Sequence, residues 1–181
     1  MPTTDNVPIY APEAFEALHV RPRAGRTLIC GSYVTQGKVD RRMRYPDAVG
    51  VDMRPGFGVD VVANLEEPQP QLGLFEHVEC CSVLEHSRRP WLLAEQLQER
   101  MRPGATLHVS APFIWRVHDH NGDFWRLTTE GVRAIFPLID WQVLIYGGER
   151  LYRPGAKTRS TKVDGFPFHE RCETFGFGVR F

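Results

Sequence analysis

Thr27-Leu28-Ile29-Cys30-Gly31 and, 21 positions from glycine to acid (52 minus 31), Ala48-Val49-Gly50-Val51-Asp52 decide how this chain is read. Each is a short apolar run; the first stops at a glycine and the second at a carboxylate. A strand, a glycine-bearing turn, a helix, a second strand and then an acid make a nucleotide-reading geometry. A carboxylate at a strand end accepts hydrogen bonds from both hydroxyls of a ribose laid across the sheet. A ribosylated cofactor is the leading expectation.

Working outward, residues 11–18 suggest a leading helix with Pro12 in its first turn and Pro22 and Gly25 beyond its end. Residues 34–43 read as a loop and a modest helix, and residues 59–63 as a third strand after Pro55-Gly56-Phe57-Gly58. Residues 66–73 form a loop before a fourth strand over 78–83. From Pro90 the apolar residues Trp91, Leu92, Leu93, Leu97 and Met101 recur at helical spacing until Arg102-Pro103-Gly104 ends the helix. A fifth strand follows over 106–111, with Leu107 and Val109 on one face. Thr128 caps a helix carrying Val132, Ile135 and Phe136, and residues 141–146 make a sixth strand. The tail alternates Phe175, Phe177, Val179 and Phe181 in the period of a strand with one buried face.

Strands alternating with helices require crossover connections, so the expected fold is α/β. It is a Rossmann-like, seven-stranded, mainly parallel sheet with helices on both faces and an antiparallel last strand beside the sixth. One domain spans residues 1–181: a leading helical segment (1–26), a cofactor-binding core (27–150), a loop (151–172) and the final strand (173–181). The length of 181 residues suits a single core.

Twenty-two basic and twenty-two acidic residues cancel without forming a block of either sign, so nucleic acid is not indicated as a partner. Residues 1–10 hold no lysine, arginine or sustained apolar stretch, and no later run approaches a membrane span. A soluble, cytoplasmic protein is expected, of unspecified oligomeric state. No C-x-x-C pair occurs among Cys30, Cys80, Cys81 and Cys172, which reads as reduced core thiols.

Residues 28–32, Gly50-Val51-Asp52-Met53-Arg54, Asn64-Leu65-Glu66, Ser82-Val83-Leu84-Glu85-His86 and residues 97–112 together resemble the successive motifs of class I S-adenosylmethionine-dependent methyltransferases. The likeness is nearest to the compact type-11-like group and covers residues 27–150. It implies S-adenosyl-L-methionine as cofactor. Gly31 and Ser32 would let the first turn approach its methionine part, with the N-terminus of the following helix meeting its carboxylate. Asp52 would hold the ribose, Met53 pack on adenine, Asn64 reach the adenine amino group, Leu65 cover the ring and Ser82 line the floor under the methyl group.

Two positions depart from that pattern: Ile29 stands where the family usually has an acid, and Tyr33 replaces the second glycine. The turn therefore takes another shape or encloses the cofactor differently, with the Tyr33 ring as a candidate contact for the sulfonium. Gly31 to Val39 also has an imperfect P-loop look, with one residue too many and no hydroxyl after Lys38.

After the fifth strand, Trp115, Arg116, His118, Asp119, His120, Asn121, Asp123, Trp125 and Arg126 should hang over the site. His118 or His120 is the expected general base, oriented by Asp123; the bland reading has one histidine capping the loop and the other solvated. No metal is expected, because His118-Asp119-His120 lacks a third ligand of evident geometry. Trp125 and Arg126 resemble a Trp-Arg pair common in this group or equally brace the loop; Glu85 suits a helix N-terminus or contacts substrate, and His86 divides between the same two roles. Phe113, Trp115, Phe124 and Trp125 either line an aromatic pocket or pack the loop. Arg153, Lys157, Arg159 and Lys162 either meet an anionic acceptor or lie in a solvated loop.

The function expected is methyl transfer to an O or N nucleophile of a small-molecule or glycan acceptor. The alternative, motivated by Ile29 and Tyr33, is a non-catalytic binding or assembly module of the same fold. A nucleotide phosphohydrolase acting through the imperfect P-loop is a third reading.

Overall fold

A computed structural model describes residues 12–35, 38–118, 122–147, 161–163, 166–168 and 172–181. Its elements are α1 (Pro12–His19), β1 (Thr27–Cys30), β2 (Ala48–Asp52), β3 (Val61–Val62), β4 (Phe75–Cys81), α2 (Pro90–Glu99), β5 (Met101–Ile114), α3 (Thr129–Ile135), β6 (Ile139–Gly147), β7 (Thr161–Val163), β8 (Phe166–Phe168) and β9 (Cys172–Arg180). One-turn 3₁₀ helices stand at Arg41–Arg44, Pro70–Leu72 and Leu84–His86.

The main sheet runs β3-β2-β1-β4-β5-β9-β6. Its first five strands pair in parallel, and β9 lies antiparallel between β5 and β6. This is the expected seven-stranded sheet, with the last strand joined to β5 as well as to β6. α2 starts with Pro90, whose missing N–H is no loss in a first turn, and buries Leu93, Ala94 and Leu97. α3 is capped by Thr128, whose hydroxyl accepts the Gly131 N–H at 2.9 Å.

Alternation along the strands separates two faces. Leu28, Cys30, Val78, Cys80, Leu107 and Val109 join Leu93, Leu97, Val132 and Phe136 in one apolar core. On the other face α1 lays Phe15 against Phe175 (ring centroids 5.1 Å apart) and His108 (5.9 Å). Helices therefore cover both faces, as expected.

Several elements differ from the sequence reading. Only the 3₁₀ turn Arg41–Arg44 stands between β1 and β2 among the described residues, where a modest helix was expected. Val39 and Met43 are exposed there; the segment has no apolar stripe to bury, and a short helix without one gains too little to form. β3 shrinks to two residues because Asp60 turns its carboxylate onto the Gly50 N–H at 2.7 Å. α2 stops at Glu99 and Met101 already pairs with Phe75, since Pro103 cannot extend a helix and Gly104 takes φ 77°. β4 ends at Cys81, so Ser82 and Val83 lie beyond it. Within the expected loop 151–172, β7 and β8 pair antiparallel. Phe181 lies past β9 and is exposed, so the inward alternation stops at Val179.

Cys30, Cys80 and Cys81 are free thiols; the side chain of Cys172 lies outside the described residues. No helix among the described residues is long and apolar enough to cross a membrane.

Candidate functional site

β1 sends the chain to β2 on one side, whereas β4 leads to β5 on the other, so their carboxyl ends diverge. In an open parallel sheet that divergence makes the ligand crevice. Gly31 closes β1 with φ 64°, and a Cβ there would stand 2.6 Å from Val83 Cγ2. Conformation and space both demand glycine. The Gly31 and Ser32 amides donate to the Val51 carbonyl at 2.9 and 3.2 Å, folding the turn over the end of β2. Ser32 is buried, and its hydroxyl has no hydrogen-bond partner.

Across the crevice Ser82 sits just past β4 with φ 56°, the one non-glycine positive φ among the described residues. For serine that is a sparsely populated conformation, of the kind that clusters at functional sites. Tyr33 is not in that region, so the turn adopts the other shape that the missing second glycine implied. Its ring is folded toward the loop after β2: a Cβ on Gly56 would meet Tyr33 Cε2 at 2.3 Å, and the Arg54 guanidinium lies 4.6 Å from the ring centroid.

Asp52 ends β2. Its Oδ2 accepts the Tyr33 N–H at 3.2 Å and its Oδ1 accepts the Arg54 N–H at 2.9 Å. Met53 is exposed and Leu65 is packed into the apolar core. Asn64 accepts the Glu66 N–H at 3.0 Å and donates to Glu67 at 3.2 Å, a local turn of its own. The helix N-terminus expected after Gly31 is absent among the described residues: the 3₁₀ turn begins ten positions on (41 minus 31), and Asp40 already caps its Arg42 N–H. Lys38 is exposed, and Gly37 lies outside the described residues.

A second group of residues borders the crevice beyond Ser82. The Phe124 N–H donates to the Glu85 carbonyl at 2.7 Å, Trp125 Nε1 to the Ser87 carbonyl at 2.8 Å, and the Leu127 N–H to the Pro112 carbonyl at 3.0 Å. These bonds sew the segment after β5 onto the turn after β4. Arg126 grips Asp123 with both terminal nitrogens at 2.5 and 2.8 Å. That fork holds the Asp123 carboxyl at about 2, well below its ordinary range. Asp123 Oδ2 in turn lies 3.0 Å from His118 Nδ1, the orienting contact the sequence suggested. Asp119, His120 and Asn121 lie outside the described residues.

The aromatic residues do not share one wall. Phe113 meets Tyr146, Phe124 lies under Arg88, and Trp125 stands edge-on to Trp91. Trp125 and Arg126 have the bracing role.

Glu85 and His86 were each divided between structure and substrate contact by the sequence reading; the structure carries both to His118. His86 Nε2 lies 3.2 Å from His118 Nε2 and 3.8 Å from Glu85 Oε1. Glu85 is 1% exposed; burial pushes its carboxyl up to about 8, with Glu173 and Asp123 adding to the rise. The signal in the sequence was their place: an acid and a histidine directly after a strand whose end faces the 113–127 segment.

No protein-family model matches the chain, and no curated protein matches it in sequence. Solved structures do. A methyltransferase-like protein from Bacillus halodurans C-125 superposes with TM-score 0.63 at 11% identity, covering 92% of this chain and 96% of its own. The N-methyltransferase NodS from Bradyrhizobium japonicum, in complex with S-adenosyl-L-homocysteine, gives TM-score 0.56 at 10% identity over 86% of this chain and 77% of its own. A Haloferax volcanii complex of the Trm112 methyltransferase activator with its methyltransferase partner gives 0.58 at 15% identity over 90% and 85%. With its β3-β2-β1-β4-β5-β9-β6 sheet and these likenesses, the chain has the fold of class I S-adenosylmethionine-dependent methyltransferases.

Proposed function

We propose that this protein is an enzyme that binds S-adenosylmethionine where β1, β2 and β4 end and transfers its methyl group to an O or N nucleophile of a small-molecule or glycan acceptor. The observation that carries the reading is the left-handed Gly31 turn facing Asp52 at the mouth of the β1/β4 divergence. The residues present fit such a cofactor. The buried Ser32 hydroxyl is unpartnered, and Gly31 is exposed. A carboxylate has about four lone-pair sites, of which the Tyr33 and Arg54 amides use two on Asp52. Two remain for a ribose diol.

Asp52 is assigned to the ribose, Gly31, Ser32 and Tyr33 to the methionine part, Met53, Asn64 and Leu65 to the adenine side, and Ser82 to the floor beneath the transferred methyl. The cofactor supplies an electrophilic methyl group for in-line displacement. The chain's part is to hold the acceptor in line on the far side. His118, oriented through Nδ1 by Asp123, presents Nε2 to take the acceptor's proton. His120 is the second candidate base. Three free thiols suit a reducing compartment, the cytoplasm.

Calorimetry tests the reading. S-adenosylhomocysteine should bind saturably, and Asp52→Ala should weaken it at least about tenfold, or about 1.4 kcal/mol. No binding of it or of S-adenosylmethionine at millimolar concentration overturns the proposal.

One observation favours a non-catalytic module instead. Arg54 Nε also stands 3.5 Å from Asp52 Oδ1, so the carboxylate is already served from the protein side. Methyl incorporation from radiolabelled cofactor that Asp52→Ala abolishes would exclude that second reading.

A further inference from the structure

The Glu85, His86 and His118 side chains have a hydrogen-bond arithmetic that the described residues alone do not close. His86 Nδ1 lies 2.5 Å from the Gly122 carbonyl oxygen. His118 Nδ1 lies 3.0 Å from Asp123 Oδ2 and 3.4 Å from the Arg116 carbonyl. All three partners are acceptors only, so each Nδ1 carries the ring proton. In the neutral rings each Nε2 is then a lone-pair donor that can only accept a hydrogen bond, yet the two face each other at 3.2 Å. Glu85 adds a third lone-pair donor: its Oε1 is 3.8 Å from His86 Nε2, and its buried Oε2 has no hydrogen-bond partner. Two imidazole nitrogens and a carboxyl oxygen thus converge with no donor from another described residue between them, an arrangement that a cation satisfies.

We propose that Glu85, His86 and His118 form a binding site for a divalent first-row transition metal ion of the zinc class. One ligand atom from each of the three lies within 4.8 Å of the others. Two imidazole nitrogens on a tetrahedral zinc ion at its usual bond length stand about 3.3 Å apart, against the 3.2 Å seen here. The outer contacts are those of metal-binding histidines, whose second nitrogen donates to a carboxylate or a carbonyl and thereby fixes the tautomer. Asp123 does this for His118, and the Gly122 carbonyl does it for His86. Arg126 holds Asp123 in place from behind. Imidazole donors favour zinc and its first-row neighbours over magnesium or calcium.

Two histidines and one carboxylate leave at least one coordination position open, as in catalytic rather than structural sites. The site stands three residues past Ser82 (85 minus 82), beside the crevice, and suits an oxygen-bearing ligand such as a hydroxyl or carboxylate of the acceptor. With the ion bound, His118 is a ligand and not a base, and the ion's acidifying effect on a bound hydroxyl replaces it.

The test does not rest on the methyl-transfer reading, because zinc uptake is measured with no cofactor present. Metal-stripped protein is titrated with zinc chloride by calorimetry. One equivalent of zinc should bind and raise the melting temperature. His86→Ala and His118→Ala should each weaken zinc more than about 100-fold, and Asp123→Asn, which only orients His118, by about tenfold or more. Cys81→Ser, in the other thiol and imidazole cluster of the molecule, should leave zinc affinity unchanged. His118 is on the surface, so its variant should fold, and its zinc-free urea midpoint checks that it does. No zinc uptake by the wild type overturns the proposal, as does zinc uptake that survives His86→Ala and His118→Ala or disappears with Cys81→Ser.

Discussion

The two faces of the central sheet are built from alternate residues of the same strands and hold together by different physics. Toward α2 and α3, β4 and β5 present Val78, Cys80, Leu107 and Val109 to an apolar core. Toward α1 they present His77, Glu79, Cys81, Thr106, His108 and Ser110. There the Glu79 carboxylate, 1% exposed, takes Arg41 at 3.0 Å and the Tyr45 hydroxyl at 2.7 Å, and His108 Nδ1 lies 3.5 Å away. His77 Nδ1 is 2.8 Å from the Thr106 hydroxyl. The difference follows from the shortened first crossover: where a helix would lay an apolar stripe on the sheet, two long polar side chains reach in from a single 3₁₀ turn and its cap. A face covered this way must be satisfied bond by bond.

The largest effect that would break this comparison is removal of one charge from the polar face. Glu79→Ala should cost about 3–5 kcal/mol, because it strands His108 and Arg41 without their partner. Leu107→Ala, one strand over on the apolar face, should cost about 2–5 kcal/mol through a cavity. Urea unfolding measures both; a Glu79 loss below about 1 kcal/mol would mean that water already screens the network.

The pH response should be next in size and, of the two faces, should belong to the polar one. Burial opposes charge on His108, but Cys81 and Glu79 outweigh it and raise its pKa to about 10. Its contribution is complete below the ordinary histidine value and is lost as pH climbs toward about 10. Burial likewise opposes charge on Glu79, but His108 and Arg41 prevail and lower it to about 2, so its contribution is present above the ordinary carboxyl value and fades toward about 2. His77, lowered to about 4 chiefly by burial, stays neutral when folded; stability therefore drops as pH falls from the ordinary histidine range toward about 4. The urea midpoint should peak near neutrality and fall on both sides. A midpoint that keeps rising into alkali would contradict the His108 assignment.

The smallest effect lies at the edge of the apolar face. Thr128→Ala removes the cap of α3 and should cost about 1 kcal/mol, read as a small melting shift with no change in pH profile. A changed profile would show that the two faces are coupled.

Much of this was legible in advance. β1 and β2, the Gly31 turn, Asp52, the α2 stripe and the Thr128 cap all rest on contacts within a few residues, and the structure has each where the local pattern puts it. The polar alternation His77-Val78-Glu79-Cys80-Cys81 and Thr106-Leu107-His108-Val109-Ser110 was equally open to view. A strand buried on both faces ordinarily reads as continuously apolar, so this alternation was a sign that one face is wired with hydrogen bonds. The segment 34–43 misled because a few polar and basic residues suit a helix and a loop equally, and only an apolar stripe separates the two.

The sequence by itself determined the seven strands of the main sheet and the helices α1, α2 and α3, because turn residues and hydrophobic period act over neighbours in the chain. Only the tertiary structure decided that His86 and His118, 32 positions apart, turn their free nitrogens toward each other over a buried Glu85. That meeting depends on Phe124 and Trp125 tying one loop to another through the Glu85 and Ser87 carbonyls. Backbone bonds between distant loops leave no periodicity in either segment, so the convergence becomes visible only once the sheet has set the two strand ends side by side.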